Sequence, residues 1–102
     1  MRVFLDTNVL VAACLEDHEQ HARALPVVQR VHEKKVEGAL SAHSILETHS
    51  VLTRLPRHPR ISPSQAGTLI ADNFLNYFSI IALSSPEYSV VFQKLRQQGI
   101  IL

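Results

Sequence analysis

The sequence is short of several things that would settle its class at once. It has a single cysteine, Cys14, so no intrachain disulfide can form. That fits a reducing, cytosolic setting. It has almost no excess of charge, with ten Lys and Arg against nine Asp and Glu and a net charge of +1. Total charge therefore points to no particular partner, and only local clusters can. It lacks a long apolar run. Val9 to Leu15 is the best candidate and is far below the roughly 20 residues that a membrane helix needs. Asp6 and Asn8 interrupt the apolar N-terminus, which excludes reading it as a secretion signal. There are no repeats, no low-complexity segment and no linker.

What is present is an ordinary globular balance. Hydrophobic residues make up 46% of the 102 and charged residues 19%, far from the composition of disordered chains. The length suits one domain with one modest core.

The hydrophobic pattern orders the elements. Arg2 to Leu5 reads as a short buried strand ending at Asp6. Val9 to Leu15 is apolar on every side, as in a helix enclosed by the fold. His18 to Lys35 reads as a helix with Ala22, Leu25, Val28 and Val31 on one side, and Pro26 is expected to kink or split it. Ala39 to Ala42, after Gly38, reads as a second strand.

Ser44 to Leu55 carries Ile45, Leu46, His49, Leu52 and Leu55 at helical spacing. Ser62-Pro63-Ser64-Gln65 has the cap, the first-turn proline and the glutamine of a helix start. The helix it opens is expected to bury Ala66, Leu69, Ile70, Phe74 and Tyr77. Ser79 to Leu83 reads as a third strand. Ser85-Pro86-Glu87 opens a last helix through Leu95, which Gly99 can end. The order β-α-α-β-α-α-β-α implies an α/β fold with a parallel sheet and right-handed crossovers. Ligands in such folds sit at the carboxyl ends of the strands, where Asp6 falls.

Asp6-Thr7-Asn8 closes the first strand and opens the first helix. A carboxylate there suits a hard cation such as Mg²⁺, and Thr7 and Asn8 can orient it or contact a phosphate. Equally, Asp6 can simply cap the helix. An aspartyl-phosphate enzyme also uses a strand-end aspartate, but its familiar signature has a second aspartate where this chain has Asn8. Glu47 has two readings as well. Ser44-Ile45-Leu46-Glu47 matches a capping box, which would explain the glutamate structurally.

Two segments carry a family resemblance. Val3-Phe4-Leu5-Asp6-Thr7-Asn8-Val9-Leu10 resembles the opening motif of PIN domains, and of VapC-type toxins in particular. Ser41-Ala42-His43-Ser44-Ile45-Leu46-Glu47-Thr48 resembles their second motif, whose glutamate is an active-site acid. Arg54-Leu55-Pro56 and Arg60-Ile61-Ser62-Pro63 resemble the segment that follows. The resemblance implies a PIN-like fold that cleaves single-stranded RNA with Mg²⁺ or Mn²⁺, held by Asp6 and Glu47. It also implies restraint by a cognate antitoxin.

The family continues through a further helix with a third acid and then more strands. No residue here matches that third motif, and the chain reads Gly99-Ile100-Ile101-Leu102 at its end. The expectation is a single, incomplete PIN domain over 1–102. It would be inactive or weakly active, or a non-catalytic remnant that binds antitoxin or a partner subunit. An unpaired first strand would favour a homodimer or other self-association.

Other residues carry weaker signals. His18 and His21 are three apart on a helix, a spacing more often found on a plain surface than at a metal. His43 and His49 flank Glu47, with His43 the nearer neighbour of a groove. Asp72 reads as solvated. Arg54, Arg57, His58 and Arg60 form a basic cluster, and Lys34-Lys35 a shorter one. The three arginines are candidates for contact with RNA phosphates.

Overall fold

The structure is a computed structural model and describes residues 1–82. Three parallel strands lie in the order β1-β2-β3: β1 Arg2–Phe4, β2 Glu37–Ser41 and β3 Ser79–Ile81. Phe4 lies opposite Ala39, and Ala39 opposite Ser79. Two helices, α1 Thr7–Cys14 and α2 His21–His32, connect β1 to β2. Two more, α3 Ala42–Arg54 and α4 Pro63–Ile70, connect β2 to β3, and α4 runs on into a π-helical turn at Ala71–Leu75. This is the expected α/β architecture and order. Leu83 and the helix expected over Ser85 to Leu95 lie outside the described residues.

The core is centred on α1. Its residues Leu10, Val11, Ala12 and Ala13 are all buried, as an all-apolar helix requires, and it packs between α2 and α3. α2 contributes Ala24, Val28 and Val31, α3 Leu52, and α4 with its extension Ala66, Ile70 and Phe74. Leu40 of β2 is fully enclosed.

Several boundaries differ from the sequence reading. β1 is buried on one face only: Arg2 and Phe4 are exposed, whereas Val3 is half-buried and Leu5, just after the strand, is buried. α2 runs through Pro26 without a break. A proline removes one backbone hydrogen bond, and here the residue four before it, Ala22, is exposed, so water can satisfy the freed carbonyl. Ala22 therefore does not belong to the buried stripe, whose place is taken by Ala24.

β2 begins before Gly38 rather than after it. Gly38 is a packing glycine. A Cβ there would fall against the ring of Phe78 and within 2.8 Å of Val31 Cγ1. Tyr77, expected in the core, is 47% exposed and stacks on His32, with ring centroids 4.1 Å apart. The π-helical turn shifts the helical phase, so that Phe78 follows Phe74 into the core and meets it edge-on at 5.8 Å. The capping box of Ser62 and Gln65 forms as expected, with both of its hydrogen bonds present.

Candidate active site

The register of β1 and β2 creates the site. Phe4 and Ala39 are partners, so the two strands end side by side, and α1 and α3 both start just beyond them. Asp6 leaves the carboxyl end of β1 in extended conformation and caps α1, its Oδ1 accepting from the Val9 N–H at 3.1 Å. The capping role is therefore real. It uses one carboxylate oxygen and leaves Oδ2 without a partner among the described residues.

Glu47 does not cap α3. The helix starts at Ala42, and its cap is Ser41, whose Oγ accepts from the Ser44 N–H at 3.0 Å. Ser41 also donates to Ser44 Oγ at 2.9 Å. The expected box of Ser44 with Glu47 is thus replaced by a cap three residues earlier. Ser41 ends β2 in extended backbone, which a cap needs, whereas Ser44 is already helical. The simple structural explanation for Glu47 falls away.

Glu47 instead faces α1. The Thr7 hydroxyl donates to Glu47 Oε1 at 3.4 Å, and His43 Nε2 lies 3.0 Å from the same oxygen. Thr7 follows Asp6 directly, so the two motifs meet through this contact. His43 and Glu47 are one helical turn apart, a spacing legible in the sequence, though the sequence reading placed His43 only near the groove. The carboxylate is half-exposed, with its side chain at 51%.

Asp6 and Glu47 are hard oxygen donors, each with an oxygen left over from its contacts among the described residues. That set fits a divalent cation that keeps most of its water, and does not fit an all-protein cage. Among the described residues, no group of three or more His, Cys, Asp or Glu is arranged to hold a metal.

Other candidates fall into place around this pair. Asn8 is exposed on the flank of α1 away from Thr7. Arg57 bonds Asp17 at 3.1 Å, tying the loop after α3 to the turn between α1 and α2. Arg54 and Arg60 are exposed, with no ion pair among the described residues. His21 Nδ1 contacts the Ala12 carbonyl at 2.8 Å and His18 Nδ1 accepts from the Gln20 N–H at 3.0 Å, so both histidines make local structural contacts. Asp72 is exposed, as expected. Burial pushes the Cys14 thiol up to about 11, which keeps it protonated and unreactive. No helix among the described residues is long and apolar enough to cross a membrane.

The chain is 39% identical over 70 residues to ribonuclease VapC27 of Mycobacterium tuberculosis, covering 69% of this chain and 47% of that protein. It is 42% identical over 81 residues to ribonuclease VapC40 of the same species, covering 78% and 55%. The chain thus spans about half the length of the curated relatives it matches. Among solved structures it resembles VapBC2 from Rickettsia felis bound to a DNA fragment from their promoter, with a TM-score of 0.59 and 22% identity. That match covers all of this chain and 71% of the other, and at this identity it speaks to the fold alone. Residues 2–94 match the PIN domain family, and the chain belongs to it.

Proposed function

We propose that this chain carries the cation-binding part of an endoribonuclease site, acting on single-stranded RNA as the toxin of a type II toxin–antitoxin pair. The observation that carries the reading is the Thr7–Glu47 contact, which sets the acid of the second motif against the residue next to Asp6 in the first. Asp6 and Glu47 are the residues that would hold Mg²⁺ or Mn²⁺. Such an ion, when bound, activates water and offsets the charge that builds on the phosphate. Asp6 is fixed by its own capping bond. Thr7 and His43 fix the rotamer of Glu47. In this reading Asn8 is a substrate contact, and Arg54 and Arg60 offer positive charge to the RNA backbone.

Among the described residues two carboxylates alone leave the position of the water and much of the phosphate charge uncontrolled, so the activity proposed for this set is weak. The relatives named VapC and the VapBC2 complex support a cognate antitoxin as partner. The exposed edge of β1 supports self-association. A second reading, a non-catalytic domain that binds antitoxin or a partner subunit, is favoured by the lack of a third ligand among the described residues.

The test is cleavage of a labelled single-stranded RNA with Mg²⁺, Mn²⁺ or EDTA, for the chain and for Asp6→Asn and Glu47→Gln. Slow cutting that vanishes in EDTA and in either variant supports the leading reading. Cutting that persists in EDTA or in Asp6→Asn removes these acids from the chemistry. No cutting under any condition leaves the binding reading. Fast cutting that needs both acids contradicts the proposed weakness.

A further inference from the structure

The N-terminal turn of α1 has two flanks. Thr7 faces α3 and Glu47, while Asn8, Val9 and Ala12 face α2 across a cleft of about 470 Å³. This volume falls within the range of small-ligand sites, about 300–1,000 Å³. Leu5 and Asn8, which bracket Asp6 and Thr7 in sequence, both line it, so the cleft adjoins the candidate cation site on the side opposite Glu47.

Its lining is divided by chemistry. Leu5, Val9 and Ala24 give an apolar floor, and Asn8, Gln20 and Arg23 give a polar rim. Among the described residues, the Arg23 guanidinium has no ion pair, and neither it nor the side-chain amides of Asn8 and Gln20 make a hydrogen bond within the chain. An unpaired nucleobase asks for this combination. It has a flat apolar face to bury, an edge of donors and acceptors that amides can match, and a neighbouring phosphate for a guanidinium, which can also stack on the base. A helical peptide would ask instead for a row of apolar pockets spaced along a groove. The polar rim of Asn8, Gln20 and Arg23 sets this cleft apart from such a groove.

We propose that this cleft is a nucleotide subsite, which seats the unpaired base beside the phosphate presented to Asp6 and Glu47. Arg23 holds the base or its phosphate, and Asn8 and Gln20 read its edge. The proposal rests on the ribonuclease reading and adds to it a place where sequence preference arises.

The experiment is fluorescence anisotropy of a short labelled single-stranded RNA in Ca²⁺. It is run with the intact oligonucleotide and with a series in which one nucleotide at a time is abasic. The proteins are the chain, Arg23→Ala and Asn8→Ala, all at exposed positions, with folding checked by circular dichroism. The expected result is one abasic position that weakens binding to the unaltered chain by about tenfold. The same change has little effect in Arg23→Ala or Asn8→Ala. If the variants weaken binding to the same degree at every abasic position, Arg23 is only a phosphate contact and the subsite is overturned. If the folded chain binds no RNA at all, the ribonuclease reading fails and takes the subsite with it. Tighter binding of an apolar peptide than of any RNA would assign the cleft to a protein partner and overturn the proposal too.

Discussion

The hydroxyl of Thr7 donates to Glu47 Oε1 across forty residues of sequence, and this bond links the end of the first strand to the third helix. In the proposed site it gives Thr7 a task, that of fixing the Glu47 carboxylate beside the residue that follows β1 and Asp6. Thr7→Val keeps the shape of the side chain and removes the donor. Residues that orient metal ligands typically matter by 10–100-fold in affinity. This bond is long and half-exposed, so a loss of about three- to tenfold in Mn²⁺ affinity is expected by isothermal titration calorimetry, with little change in melting temperature. An unchanged affinity would make the contact incidental.

The start of α3 offers a contrast between two serines and one glutamate. Ser41→Ala removes the helix cap and strands the Ser44 N–H, and should cost about 1 kcal/mol in urea unfolding. Glu47→Ala should stay within about 0.5 kcal/mol of the parent, since Glu47 closes no capping box and its contacts are exposed. The reverse order of effects would restore the cap that the sequence suggests.

That contrast shows where the sequence was legible. Local chemistry with one solution was readable: the box at Ser62 and Gln65, the all-apolar helix after Asp6, and the strand-end position of Asp6 itself. Ser41 and Ser44 both look like caps, and the choice between them depends on how far β2 pairs with its neighbours. The second strand was expected to start only after Gly38, because the ring of Phe78, forty residues away, cannot be seen from its neighbours. Tyr77 was assigned to the core by a regular helical period that the π-helical turn interrupts. The candidate acids were found through their motifs, but the contact of Thr7 with Glu47 required the register of β1 and β2.

Gly38→Ala tests that close packing. The added methyl meets Phe78 and Val31, and overpacking of this kind costs about 1–3 kcal/mol. A clear drop in the urea midpoint is expected. No drop would mean that β2 and the Phe78 segment are less tightly apposed than described.

Phe4 is 57% exposed on β1, at an edge of the sheet among the described residues. Association that rises with protein concentration is expected by light scattering, and Phe4→Lys should reduce it, since charge on an edge strand opposes pairing. A monodisperse monomer at high concentration would contradict this.

The central claim is that Asp6 and Glu47 form one divalent-cation site, and paramagnetic broadening by Mn²⁺ in a ¹⁵N correlation spectrum tests it most directly. The account predicts selective broadening around Asp6, Thr7 and Glu47 at low Mn²⁺, with the effect at both motifs lost in either Asp6→Asn or Glu47→Gln. Broadening that survives at one motif when the other acid is replaced, or that centres on other acids such as Asp72, would contradict it.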